Sequence, residues 1–142
     1  MIILIGYPYF IADDCPHPDF ESVVFMIDFE QPILGICFGH QILGMLHGAE
    51  VKTGKEARGV EALEIVNSSS LFNDLKDEII MGEDHCEEIN LPENFKLIAS
   101  SPTCEVEAMQ HIFKPIFGVQ FHPEVSGVQG LVLLKNFVKT CN

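Results

Sequence analysis

Apolar residues in this chain come in short blocks separated by polar and glycine-containing breaks. That spacing favours strands joined by a few helices. Ile2–Ile5 is an unbroken apolar run and reads as a strand. Asp19 is placed to cap a helix over about Glu21–Ile27. Pro32 opens a second apolar run, and Ile42, Leu43, Met45 and Leu46 then recur with helical spacing until Gly48 ends the helix. Val60–Val66 alternates loosely as a strand, and shorter strands are expected near Glu78–Met81, Lys96–Ala99 and Val106–Met109. Lys114-Pro115 introduces a last strand, Ile116–Phe121, and a helix over about Val128–Lys139 follows. Strands with crossover helices predict an α/β fold, a mixed and mostly parallel sheet flanked by helices.

Chemistry concentrates where two of these strands end. Pro32-Ile33-Leu34-Gly35-Ile36-Cys37-Phe38-Gly39-His40-Gln41 runs from a strand through Gly-x-Cys-x-Gly into a helix, the layout of a nucleophile elbow with cysteine at its tip. The pattern should arise by chance in roughly 1% of chains this long, so it calls for a second signal. A buried, inert cysteine at a strand end is the competing reading. If Cys37 is reactive, helix-end amides and a nearby imidazolium should favour its thiolate. The second signal is Gly118-Val119-Gln120-Phe121-His122-Pro123-Glu124 at the end of the last strand. A carboxylate two residues from an imidazole can orient it and stabilise its protonated form. Open α/β sheets assemble sites at the carboxyl ends of strands, which is where Cys37 and His122 both fall.

At these residues the chain resembles the class I (triad-type) glutamine amidotransferases, whose fold is flavodoxin-like. Within them it is most similar to the glutaminase subunit of GMP synthetase. Pro32–Gln41 is similar to the family's nucleophile motif and Gly118–Val125 to its His-Pro-Glu motif. Carbamoyl-phosphate and anthranilate synthase glutaminases share both blocks. The stretches Ala12–Asp19, Cys104–His111 and Leu134–Phe137 favour the GMP synthetase type. The resemblance implies Cys37 as nucleophile, His122 as general base and acid, and Glu124 as the orienting carboxylate. The backbone N–H groups of Phe38 and Tyr7 would form the oxyanion hole. Gln41, Asp84, Cys86 and Glu87 match positions along the substrate glutamine. The implied reaction is hydrolysis of the glutamine side-chain amide through a cysteine thioester. The ammonia would pass to an ATP-pyrophosphatase (synthetase) subunit for conversion of XMP to GMP, with ATP and magnesium on that partner and no cofactor in this chain.

Two departures from the family pattern matter. Tyr7 stands where relatives carry the second Gly of Ser-Gly-Gly-Pro, and a Cβ there narrows the allowed backbone. The resemblance also implies that a β-α-β unit of about 30–40 residues is missing ahead of Met1, so that 1–142 is a glutaminase domain incomplete at its N-terminus. The alternative to an active glutaminase is a catalytically impaired paralogue or fragment that serves as a binding or regulatory subunit.

Bulk properties narrow the setting. At 142 residues and 47% hydrophobic content, the chain is large enough for a single core. A net charge of −13 argues against nucleic-acid binding, which needs a basic surface. No run of apolar residues is long enough for a membrane helix. Five cysteines, an odd number with one in the elbow, point to a reducing cytoplasm. Cys15 with His17, and His85 with Cys86, lack the paired spacing of metal sites, and no metal is expected.

Overall fold

The two runs flanking the chemistry, Ile33–Ile36 and Ile116–Val119, lie side by side in parallel at the inner part of one sheet. The computed structural model describes residues 1–5 and 20–142, so Tyr7, Cys15, His17 and the Asp19 cap fall outside the described residues. The strands are β1 (Ile2–Leu4), β2 (Ile33–Ile36), β3 (Val51–Ile65), β4 (Glu78–Ile89), β5 (Phe95–Ser100), β6 (Ala108–His111) and β7 (Ile116–Val119). Their order across the sheet is β1-β2-β7-β6-β5-β3-β4. Among the described residues two α-helices, α1 (Phe38–Leu46) and α2 (Gly127–Lys139), complete the framework.

The mixed α/β sheet agrees with expectation, but its parallel share is smaller than the pattern suggests. Only β1–β2 and β2–β7 pair in parallel; the remaining neighbours are antiparallel. Connection length explains this. A parallel crossover takes a dozen or more residues, whereas only residues 112–115 separate β6 from β7.

Successive residues of β2 and β7 point to opposite faces, and the core divides accordingly. Leu34, Ile36, Phe117 and Val119 join Leu133 and Phe137 of α2 on one side. Ile33 and Ile116 join Leu43 of α1 and Met109 on the other. Strands buried on both faces read as continuous apolar runs, as these do.

Four expected elements differ. The helix over Glu21–Ile27 is instead two short 3-10 segments, Phe20–Ser22 and Val24–Ile27. Seven residues are too few to offset helix nucleation, and β-branched Val23 and Val24 add to its cost. The strand at Val106–Met109 begins only at Ala108, because residues 101–107 form a loop in which the Ser101 hydroxyl donates to Glu107 Oε1 at 2.7 Å. The third difference is the length of β3 and β4, which form a long antiparallel ribbon in place of two short strands. No helix among the described residues is long and apolar enough to cross a membrane.

Candidate active site

The turn from β2 into α1 places Cys37 at φ 51°, ψ −105°, a conformation that costs about 1–3 kcal/mol for a residue with a Cβ. The backbone is fixed from both sides. The Cys37 N–H donates to Val119 O at 2.8 Å, tying the elbow to the end of β7. A Cβ on Gly39 would lie 2.0 Å from the Leu4 carbonyl oxygen, and one on Gly35 would lie 2.5 Å from the Gly39 oxygen. Glycine is thus required at both flanks for α1 to start this close to β1 and β2.

His122 reaches the same end of the sheet through β7. Its N–H donates to Gly82 O at 2.9 Å, which fastens it to β4. A 3-10 turn at Pro123–Val125 then brings Glu124 back beside it, with His122 Nδ1 2.6 Å from Glu124 Oε1. An ionised carboxylate only accepts, so Nδ1 donates and Nε2 is left with the basic lone pair. Ser126 secures the turn, its hydroxyl donating to His122 O at 2.6 Å and accepting from the Gly82 N–H at 2.8 Å. Both residues border an open cleft of about 500 Å³, whose walls also carry Arg58, Glu83 and Asp84.

β4 crosses in front of the elbow. The Cys37 thiol donates to Asp84 O at 3.9 Å and receives the Gln120 amide at 3.6 Å. Gln120 is a residue that sequence reasoning misses. It is fully buried, its Oε1 accepts from Gln41 Nε2 at 3.2 Å, and so it links α1 to the sulfur. Its only sequence signal is its place between β7 and His122.

The resting thiol differs from expectation. Burial pushes Cys37 from 9.0 up to about 11; the Phe38 N–H favours the anion, but the charges of Glu83, Asp84 and Glu124 add to the upward shift. The helix-end amide is in place and is outweighed. The thiol is therefore protonated at neutral pH, and a base must take its proton as the sulfur reacts.

The remaining sequence-marked residues divide. Asp84 has a largely exposed side chain paired with Arg58. Gln41 is 3% exposed, and its amide also donates to Glu87 O at 3.1 Å, so its NH₂ group is engaged within the fold. Glu87 is buried and Cys86 half-buried.

Behind the cleft lies a buried polar cluster that the sequence does not reveal. His85 Nε2 is 3.0 Å from Glu83 Oε2, and His85 Nδ1 donates to Glu87 O at 3.2 Å. Burial raises both Glu83 and Glu107 from 4.5 to about 8. His85, Cys104 and Glu107 each offer a donor atom within 4.8 Å of the others, a grouping that could hold a cation. These residues come from β4 and from the loop before β6, so no local spacing announces them. His40 is fully buried, and burial lowers it to about 3, so it is neutral.

The chain matches the glutamine amidotransferase class-I family over residues 19–141. It is 44% identical over 97 residues to the A subunit of the glutamine-hydrolyzing GMP synthase of Pyrococcus furiosus, covering 66% of this chain and 52% of that protein. A solved structure from Thermoplasma acidophilum, described as the A subunit of a GMP synthase, superposes with a TM-score of 0.81. It is 39% identical, and the match covers 86% of this chain and 63% of that one. A glutamine amidotransferase from Thermotoga maritima superposes with a TM-score of 0.70 at 28% identity, covering 85% and 51%. The chain spans about half the length of the curated relatives it matches. The matched region contains the Cys37 elbow, β7 and the His122–Glu124 pair, and the chain belongs to the class I glutamine amidotransferase family.

Proposed function

We propose that this chain is a glutaminase domain that hydrolyses the side-chain amide of glutamine and supplies ammonia to a synthetase partner, for XMP to GMP conversion. The observation that carries this reading is the meeting of two strand ends. Cys37, held at positive φ, is bonded to the end of β7, and three residues beyond Val119 stands His122 with Glu124 at 2.6 Å. The relatives named as the A subunit of GMP synthase support the same reaction and a separate synthetase partner.

In this reading Cys37 Sγ attacks the carboxamide carbon as its proton passes to His122 Nε2. The developing oxyanion is held by the Phe38 N–H, with Tyr7 as the expected second donor. One preorganised donor of this kind is worth about 3–4 kcal/mol. The imidazolium, stabilised by Glu124, returns its proton to the departing nitrogen, and ammonia leaves. Water, deprotonated by the same imidazole, then opens the glutamyl thioester to glutamate and restores the thiol. ATP and magnesium would serve the synthetase partner.

The test is ammonia release from glutamine, with and without the cognate synthetase. Release is expected with the partner and should vanish in Cys37→Ala. If the complex releases no ammonia, or Cys37→Ala leaves release unchanged, the glutaminase reading is wrong.

A further inference from the structure

The cleft beside His122 is an unusual place for a substrate that carries a carboxylate. Glu83, Asp84 and Glu124 all border it, and among the described residues lining it Arg58 is the one fixed positive charge. Arg58 on β3 sits directly opposite Asp84 on β4. Its Nη1 pairs with Asp84 Oδ1 and its Nε with Glu56 Oε1 at 2.5 Å. All three side chains are mostly exposed, and an ion pair between such groups is weak enough to be exchanged for another.

Distance ties this pair to the reacting atom. The Asp84 carbonyl oxygen is 3.9 Å from Cys37 Sγ, so the backbone bearing the Asp84 side chain passes beside the sulfur. In glutamine the α-carbon is three bonds from the carboxamide carbon, about 4 Å, and the α-carboxylate begins one bond further. With the amide on Sγ, the charged head of the molecule reaches about as far as the β4 backbone that carries Asp84, whose side chain is paired with Arg58.

Resting on the glutaminase reading, we propose that Arg58 is a specificity residue that takes the α-carboxylate of the substrate while Asp84 takes the α-ammonium group. The resting Arg58–Asp84 pair is then a closed clasp that a free α-amino acid opens, each charge finding a partner in the substrate. A planar guanidinium receives a carboxylate through two parallel N–H bonds, which fixes the head group and therefore the amide. Peptide-linked glutamine and simple amides lack one or both charges and leave the clasp shut.

Three cysteine-directed probes test this on the intact chain with its partner: the chloroketone analogue of glutamine, the same chloroketone without its α-carboxylate, and iodoacetamide. Wild type should be labelled saturably at Cys37 by the amino-acid chloroketone. Arg58→Ala should lower that rate at least about tenfold, with Arg58→Lys intermediate, while the other two probes react as before. For glutamine hydrolysis the loss should appear in KM, with kcat within about threefold. Equal labelling of wild type and Arg58→Ala by the amino-acid chloroketone overturns the proposal. So does an equal loss with the decarboxylated probe, which would mean that Arg58 only holds Asp84 in place. If wild type itself shows no saturable labelling, the underlying glutaminase reading falls with it.

Discussion

The same pair of side chains occurs twice among the described residues. His122 and Glu124, two residues apart, meet at 2.6 Å; Glu83 and His85, also two apart, meet at 3.0 Å. What separates them is water. The first pair is 21% and 36% exposed at the mouth of the cleft, and in the second His85 and Glu83 are 3% and 1% exposed within the ribbon of β3 and β4. A partly solvated pair can trade protons with a substrate. A buried one must settle its charges inside the fold, and Glu83 does so by holding its proton well above the usual carboxylate range. Chemical identity and spacing therefore do not assign a role; the surroundings do.

The largest expected contrast is in catalysis. His122→Ala should lower ammonia release about 10²- to 10⁴-fold, the usual contribution of a positioned acid–base group, and leave the urea midpoint where it is. A comparable loss of stability would erase the distinction between the two pairs. The reverse contrast is His85→Ala. Emptying this buried site and leaving Glu87 O without the His85 Nδ1 donor should cost about 1–3 kcal/mol in urea unfolding, with turnover per folded molecule retained. An unchanged midpoint would show that the buried imidazole contributes nothing to stability.

The smallest and sharpest effect is in pH dependence. Burial raises Glu83 and Glu107 from 4.5 to about 8, so the native state keeps protons that the unfolded chain releases above about pH 4.5. Their contribution is fully present below pH 4.5, and it is lost as pH rises to about 8. The unfolding midpoint of wild type should fall across that window, and Glu83→Gln should flatten the fall. Parallel pH curves for the two proteins would mean the cluster binds no extra proton.

Readability from sequence follows the same division. Ile33–Ile36, Ile116–Val119 and Gly127–Lys139 lie close to their expected bounds, because their buried faces are built of apolar residues. The elbow is legible because its glycines are forced by close backbone contacts. β4 extends well past its expected end at Met81 because its alternation continues in polar letters: Glu83, His85 and Glu87 face inward. β3 exceeds its expected length for the opposite reason, since Lys52, Thr53, Lys55, Glu56 and Arg58 belong to an exposed ribbon with little apolar face to register. The protonated state of Cys37 is illegible in sequence, because desolvation and three acids from distant strands and turns decide it against the local helix end.

Gly39 rests against the carbonyl of Leu4 with no space for even a methyl group, and Leu4 ends a three-residue strand at the margin of the sheet. That short strand is the doorstop of the nucleophile. The reactive sulfur inherits its alignment from a piece of backbone that carries no chemistry, and a misplacement of about 1 Å there can cost 10²-fold in rate. Whatever steadies or nudges Leu4 sets the aim of Cys37.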